Sequence, residues 1–167
     1  MENTNATKSL FVIFLDIDGV LNTRKTCVCA PSGVVGIVES RAAVLAGAMK
    51  QTRADGVVLT TTWKNLREDH EDYIYLLEIF SKYGIKVLGK TEEKHVTERE
   101  EGVVKYLETH PEIEEFVILD DQQYGFRLYS KLWESFIDTR GQGIEHGSLV
   151  SRTPSVAAIL FLNAIQS

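Results

Sequence analysis

Apolar and polar positions along the chain fall into two alternating kinds of segment. Short, almost unbroken apolar runs occur as LFVIFL at 10–15, GVVLT at 56–60, IKVLG at 85–89, EEFVILDDQ at 114–122 and ESFIDT at 134–139. Their length and their β-branched and aromatic content predict strands covered on both faces, the kind that belong to parallel sheets flanked by helices. Between them lie helical patterns. Ser40 is expected to cap a helix through about Thr52, with Ala43, Val44, Leu45, Ala46 and Met49 on its apolar side. A second helix is predicted over Glu71 to Tyr83, burying Ile74, Leu77 and Phe80 and ending at Gly84. Thr97 and Glu100 have capping-box spacing for a third, which runs to about Thr109 before Pro111. A short helix around Arg127 to Leu132 follows, and Thr153 with Pro154 would open a last one, SVAAILFLNAI. Strands alternating with helices predict a doubly wound, Rossmann-like α/β sheet of about five strands.

This organisation gives one domain over 10–167 after a polar tail, MENTNATKS. The segment from Thr23 to Glu39 carries Pro31, Ser32, Gly33 and Gly36 and reads as a small flap rather than a lid domain. The 167 residues suffice for a core without staples, and 44% hydrophobic with 25% charged residues is a globular composition. No apolar run approaches the roughly 20 residues of a membrane helix, and the tail lacks the basic start and apolar middle of a signal peptide. The expected location is therefore cytoplasmic, with no membrane partner. Cys27 and Cys29 are the only cysteines and are expected to be reduced thiols. A net charge of −6 argues against a nonspecific nucleic-acid coat but leaves room for a local basic patch.

The chemistry is concentrated at strand ends. In LFVIFLDIDGVLN the first apolar run stops at Asp16 and Asp18, which alternation sends to one side while Ile17 returns to the core. Two like charges in one small site call for a cation or a shared proton, and Gly19 lets the backbone turn just beyond them. A calcium loop is excluded, because Val20, Leu21 and Cys27 stand where that loop needs an oxygen ligand, Gly and Glu. Thr60 ends the second run and Asp120 with Asp121 the fourth. Carboxylates and a hydroxyl at carboxyl ends of neighbouring strands suit magnesium and a phosphate. Lys64, Lys94 and Arg99 are the cations available for the phosphoryl charge, each weighed against being a solvated surface charge.

With these motifs in order, the chain resembles the haloacid dehalogenase (HAD) superfamily of aspartate-nucleophile phosphatases: DIDGV at 16–20, VVLT ending at Thr60 and ILDD ending at Asp121. The resemblance implies magnesium as cofactor and Asp16 as nucleophile. Asp18 would be the general acid/base, with its backbone carbonyl on the metal. It further implies Thr60, with Thr61, as phosphate ligands and Asp120 as the principal metal ligand, with Asp121 secondary. Within the superfamily the chain is most similar to the phosphatase domains of polynucleotide kinase and RNA-repair proteins. There a basic residue followed by two acids opens a helix, as Arg99, Glu100 and Glu101 do here, and TTTWK at 60–64 looks like their SSSWR. Arg99 is thus the implied third-motif cation, with Lys94 its rival, while Gly102 and the tail RGQGIEHGSLVSRT depart from the pattern. The expected function is magnesium-dependent hydrolysis of a phosphomonoester through an aspartyl-phosphate. A large substrate is expected, a nucleic-acid 3′ end leading, contacted by Lys64, Arg24 and Lys25. Two other classes compete: a phospho-accepting signalling receiver, and a silent module that binds a phosphorylated ligand.

Overall fold

The computed structural model describes residues 8–145, 149–152 and 154–167. Of the tail expected over 1–9, residues 1–7 lie outside the described residues, as does the capping role expected of Thr153. Five parallel strands form one sheet: β1 (Leu10–Leu15), β2 (Gly56–Leu59), β3 (Val87–Lys90), β4 (Ile113–Asp120) and β5 (Phe136–Asp138), in the order β3-β2-β1-β4-β5. The chain winds outward from β1 to β3, then crosses to the other side for β4 and β5. A change of direction with right-handed crossovers puts the helices that connect β3 to β4 and β4 to β5 on the opposite face from those that connect β1 to β2 and β2 to β3. Accordingly α1 (Glu39–Thr52), α2 (Glu71–Lys82) and α5 (Val156–Gln166) share one apolar layer with Phe11, Ile13, Leu15 and Ile17. Residues of α3 (Arg99–Thr109) and α4 (Ser130–Glu134) share the other with Val12 and Phe14. Alternation along β1 thus feeds two cores, which is why the run carries no polar residue.

This strand order also removes the receiver alternative, since that fold has the order 2-1-3-4-5. The switch point here lies between β1 and β4, next to their carboxyl ends.

Several local expectations fail because packing outweighs short motifs. Val38, not Ser40, is the N-cap of α1, and Ala43 is exposed while Ala42, Leu45, Ala48 and Met49 are buried. In α2 the buried apolar residues are Leu76, Ile79 and Phe80, with Ile74 and Leu77 exposed and Tyr83 just past the end. The Thr97–Glu100 capping box does not form: α3 starts at Arg99, after a 3-10 turn over Val96–Glu98, with no side-chain cap. The helix expected at 127–132 splits into a 3-10 turn (Phe126–Leu128) and α4. Ser155 caps α5, accepting from the Ala158 amide at 3.2 Å. Among the described residues no helix is long and apolar enough to cross a membrane.

The 23–39 segment is tied down. Ser32 donates through its amide (3.0 Å) and hydroxyl (2.5 Å) to Asp72 at the start of α2. The Ile37 amide donates to the Tyr75 hydroxyl at 3.1 Å, and Cys29 and Val35 form an antiparallel bridge. Cys27 and Cys29 are exposed free thiols on this flap.

Candidate active site

Beyond the carboxyl ends of β1 and β4 opens a cleft of about 1010 Å³, lined by Asp16, Asp18, Arg99 and Asp121 at its base and by Arg24, Lys25 and Arg140 among its other residues. The acids get there by different routes. Asp16 follows β1 directly, its amide donating to the Leu119 carbonyl at 2.9 Å, and the residue is 4% exposed. Ile17 returns to the core as expected, and Asp18 stands exposed at the cleft. Gly19 turns the chain with φ +85°, and a Cβ there would overlap the Asp121 carboxylate. Asp120 ends β4 in full burial and Asp121 sits half-buried beyond it. One carboxylate oxygen from each of Asp16, Asp120 and Asp121 lies within 4.8 Å of the others.

Three acids this close repel one another, and Arg99 is the counterweight. Its Nη1 reaches Asp120 Oδ2 at 2.6 Å and Asp16 Oδ1 at 3.2 Å, and its guanidinium lies 4.9 Å from the centre of the Tyr124 ring. Burial opposes the Arg99 charge, but Asp120 and Asp16 outweigh it and hold the group above its ordinary pKa. Burial pushes Asp16 up to about 6 against the pull of Arg99, with Asp18 and Asp121 adding repulsion. Burial, then the Asp16 charge, pushes Asp120 upward too, opposed by Arg99. Tyr124 holds its ring there from a backbone φ of +37°, uncommon for a bulky residue and a local strain at the site.

The two adjacent acids differ in what their oxygens do. Asp120 accepts from Arg99 through Oδ2 and from the Gln122 amide (2.9 Å) through Oδ1, whereas Asp121 accepts from the Gln122 side chain at 3.2 Å and lines the cleft. Asp18 accepts from Asn22 Nδ2 at 2.8 Å and from Trp63 Nε1 at 3.2 Å.

The threonines and lysines divide as well. Thr60 is buried with its Oγ1 lacking a partner among the described residues, beside a small hollow that Lys64, Lys94 and Arg99 also line. The Thr61 hydroxyl accepts instead from the Trp63 amide (3.4 Å), capping the 3-10 turn Thr62–Asn65, and Thr62 faces the cleft. Lys64 is not the exposed strand contact expected. It is 5% exposed, donates to Thr91 Oγ1 at 2.8 Å and pairs with Glu93, whose side chain is equally enclosed. Burial lowers its pKa, offset by Glu93. Gly102, out of place in a helix by propensity, explains itself here: a Cβ would collide with the Glu93 carboxylate. Of the rival third-motif cations, Arg99 reaches the acids and Lys94 stays exposed at the hollow.

The segment after β5, which no motif explains, closes one side of the site. Gly19 O accepts from Thr139 Oγ1 (2.8 Å) and the Gly143 amide (3.0 Å), and Ile144 N donates to Val20 O (2.9 Å), so this loop braces the turn that carries Asp18. Sequence reasoning missed Asn22, Tyr124, Glu93 and this brace. Only Asn22 left a signal, as the polar residue that ends the apolar stretch VL.

Comparison with known proteins agrees with this layout. A family model described as "HAD domain in Swiss Army Knife RNA repair proteins" matches residues 12–146, which take in Asp16, Asp18, Asp120 and Asp121. No curated protein matches the chain. Among solved structures it is similar to one described as a "putative 3-deoxy-D-manno-octulosonate 8-phosphate phosphatase" from Vibrio cholerae, at 12% identity and a TM-score of 0.43, covering 95% of this chain and 87% of that one. So distant a likeness says nothing of this chain's substrate. The family match spans most of the chain and includes every strand that delivers an acid, so the protein belongs to the HAD domain family of Swiss Army Knife RNA repair proteins.

Proposed function

We propose that the protein is a magnesium-dependent phosphomonoester hydrolase that works through an aspartyl-phosphate on Asp16. The observation that carries this reading is the convergence, at one switch point, of the three-carboxylate cluster with the Arg99 guanidinium and the Thr60 hydroxyl, which has no partner among the described residues. An all-oxygen, hard donor set of this kind fits magnesium. Asp16 and Asp121, with the Asp18 backbone carbonyl, would hold it. Bound there, magnesium would neutralise charge between the carboxylates and a phosphoryl group.

Asp16 then attacks phosphorus in line while Asp18 gives its proton to the departing oxygen. The P–O bond to the leaving group breaks as the bond to Asp16 forms. Asp18, now ionised, takes a proton from the water that hydrolyses the acyl phosphate, which frees phosphate and restores Asp16. Thr60 donates its hydroxyl to a phosphate oxygen. Arg99 keeps Asp16 ionised and oriented by bridging it to Asp120.

Because both Asp120 oxygens are engaged by Arg99 and the Gln122 amide, Asp121 replaces it in our assignment as the direct metal ligand. Asp121→Ala is expected to raise the magnesium concentration for half-maximal activity by at least about tenfold. Asp120→Ala should lower turnover with a smaller change in that midpoint. Metal titration of activity measures both, and the reverse ranking would restore Asp120 as ligand.

The substrate proposed is large, a nucleic-acid 3′-phosphate leading. Arg24, Lys25 and Arg140 rim an otherwise acidic protein's cleft, and that cleft is open, so it cannot enclose a small ester. The testing experiment is magnesium-dependent hydrolysis of a panel of 3′-phosphorylated oligonucleotide, mononucleotides and sugar phosphates. The oligonucleotide is expected to have the highest kcat/KM, falling as salt rises. A small metabolite that outperforms it removes the end-repair reading and leaves the phosphatase.

A further inference from the structure

Asp18 is the exposed member of the acid pair, and an exposed carboxylate on a turn would ordinarily sample several rotamers. Here it does not stand alone. Asn22 and Trp63 each donate one N–H to it, at 2.8 Å to Oδ1 and 3.2 Å to Oδ2, and the two donors come from different strand ends. Both are buried. Asn22 is 2% exposed, and its Oδ1 is occupied by the Gly19 amide at 3.1 Å, which fixes which end of the amide faces Asp18. Trp63 is 6% exposed, packed into the layer of α1, α2 and α5, and its 3-10 turn is capped by Thr61. An indole N–H can only donate, and a ring wedged in a core cannot follow a wandering partner.

We propose that Trp63 and Asn22 are positioning residues that jointly aim the Asp18 carboxyl at the leaving-group oxygen, so that proton donation, and not phosphorus attack, depends on them. The inference rests on the acid/base role proposed for Asp18. The step they serve is the transfer of the Asp18 proton to the departing oxygen as its bond to phosphorus breaks; the charge left on the carboxylate is then held by the two N–H donors. The need for that proton depends on the leaving group. An alkoxide cannot depart without it, while p-nitrophenolate leaves as the stable anion.

The test compares kcat/KM, which reports the first transfer to Asp16, for p-nitrophenyl phosphate and for the alkyl phosphate ester that the wild type hydrolyses best. The variants are Trp63→Phe, which removes only the N–H and part of the ring, and Asn22→Asp, which keeps the acceptor for the Gly19 amide and replaces the donor by an oxygen. In each, the alkyl ester is expected to lose roughly a hundredfold, at the low end of what a general acid supplies, and at least tenfold more than the aryl ester loses. Melting temperatures establish that both variants fold; if Trp63→Phe does not, Asn22→Asp decides. Equal losses on the two esters, or no loss on either, overturn the proposal while leaving the phosphatase standing. Failure of the wild type to hydrolyse either ester overturns the phosphatase reading and this proposal together.

Discussion

Replacing Asp16 by Asn is expected to bring magnesium-dependent hydrolysis down to background, a loss of at least about ten-thousandfold, as for removal of other nucleophiles. The amide has nearly the shape of the carboxylate, so the fold has no reason to suffer. Chemically it fails twice: it is a poor nucleophile, and it brings no charge to the cation site. The surroundings even favour the change, since Asp16 is a buried acid pushed up to about 6 by its own burial, with Asp18 and Asp121 adding repulsion. The variant should therefore melt at or above the wild-type temperature while being inactive on an aryl phosphate. Undiminished turnover would remove Asp16 as nucleophile and with it the mechanism.

Arg99→Met should be costly to both stability and activity. Arg99 is the cation that bridges Asp16 and Asp120, all three groups being almost fully buried. Removing one partner of a buried charge cluster leaves the others uncompensated, typically at roughly 3–5 kcal/mol, which for a domain of this size corresponds to a melting temperature lower by about 10 °C. The sign of the pH dependence follows from the acids. Burial raises the folded-state pKa of Asp16 and Asp120 above the ordinary value, and losing Arg99 raises both further. The penalty is then absent where both acids are protonated and grows as pH rises through the carboxylate range toward neutrality. On the proposed reading magnesium would bind the folded state, and its addition should then recover part of the loss. Activity should fall with the loss of Asp16 orientation even where the protein is folded. A melting curve that matches the wild type at neutral pH without magnesium would mean that the Arg99 bridge holds nothing together.

How far the site was legible depends on the kind of residue. Asp16 and Asp18 could be read because an apolar run that ends in acids is a local pattern, and strand alternation then dictates their side. Thr60 and the Asp120–Asp121 pair were legible for the same reason. The different surroundings of Asp120 and Asp121 were not. They are set by Arg99, 21 residues earlier on α3, and by the Gln122 amide just past the strand end. Lys64 shows the converse: nothing local marks it as buried, and it is buried because Glu93 and Thr91 come from the connection after β3 and Gly102 on α3 leaves them space.

Taken alone, the sequence determined the fold class, the strand and helix sequence and the acids that face a common edge, because these follow from periodicity and from the few residues that can end a buried strand. Helix caps and faces needed the tertiary structure: Ser40, Thr97 and Ile74 obey short rules that the packing of α1, α2 and α3 overrides. Only the tertiary structure decided which cation meets which acid, which carboxylate is left facing the cleft, and that Trp63 reaches Asp18 across 45 residues. Those contacts join segments far apart in the chain, and their energies come from burial and mutual charge, quantities that exist only once the strands are side by side.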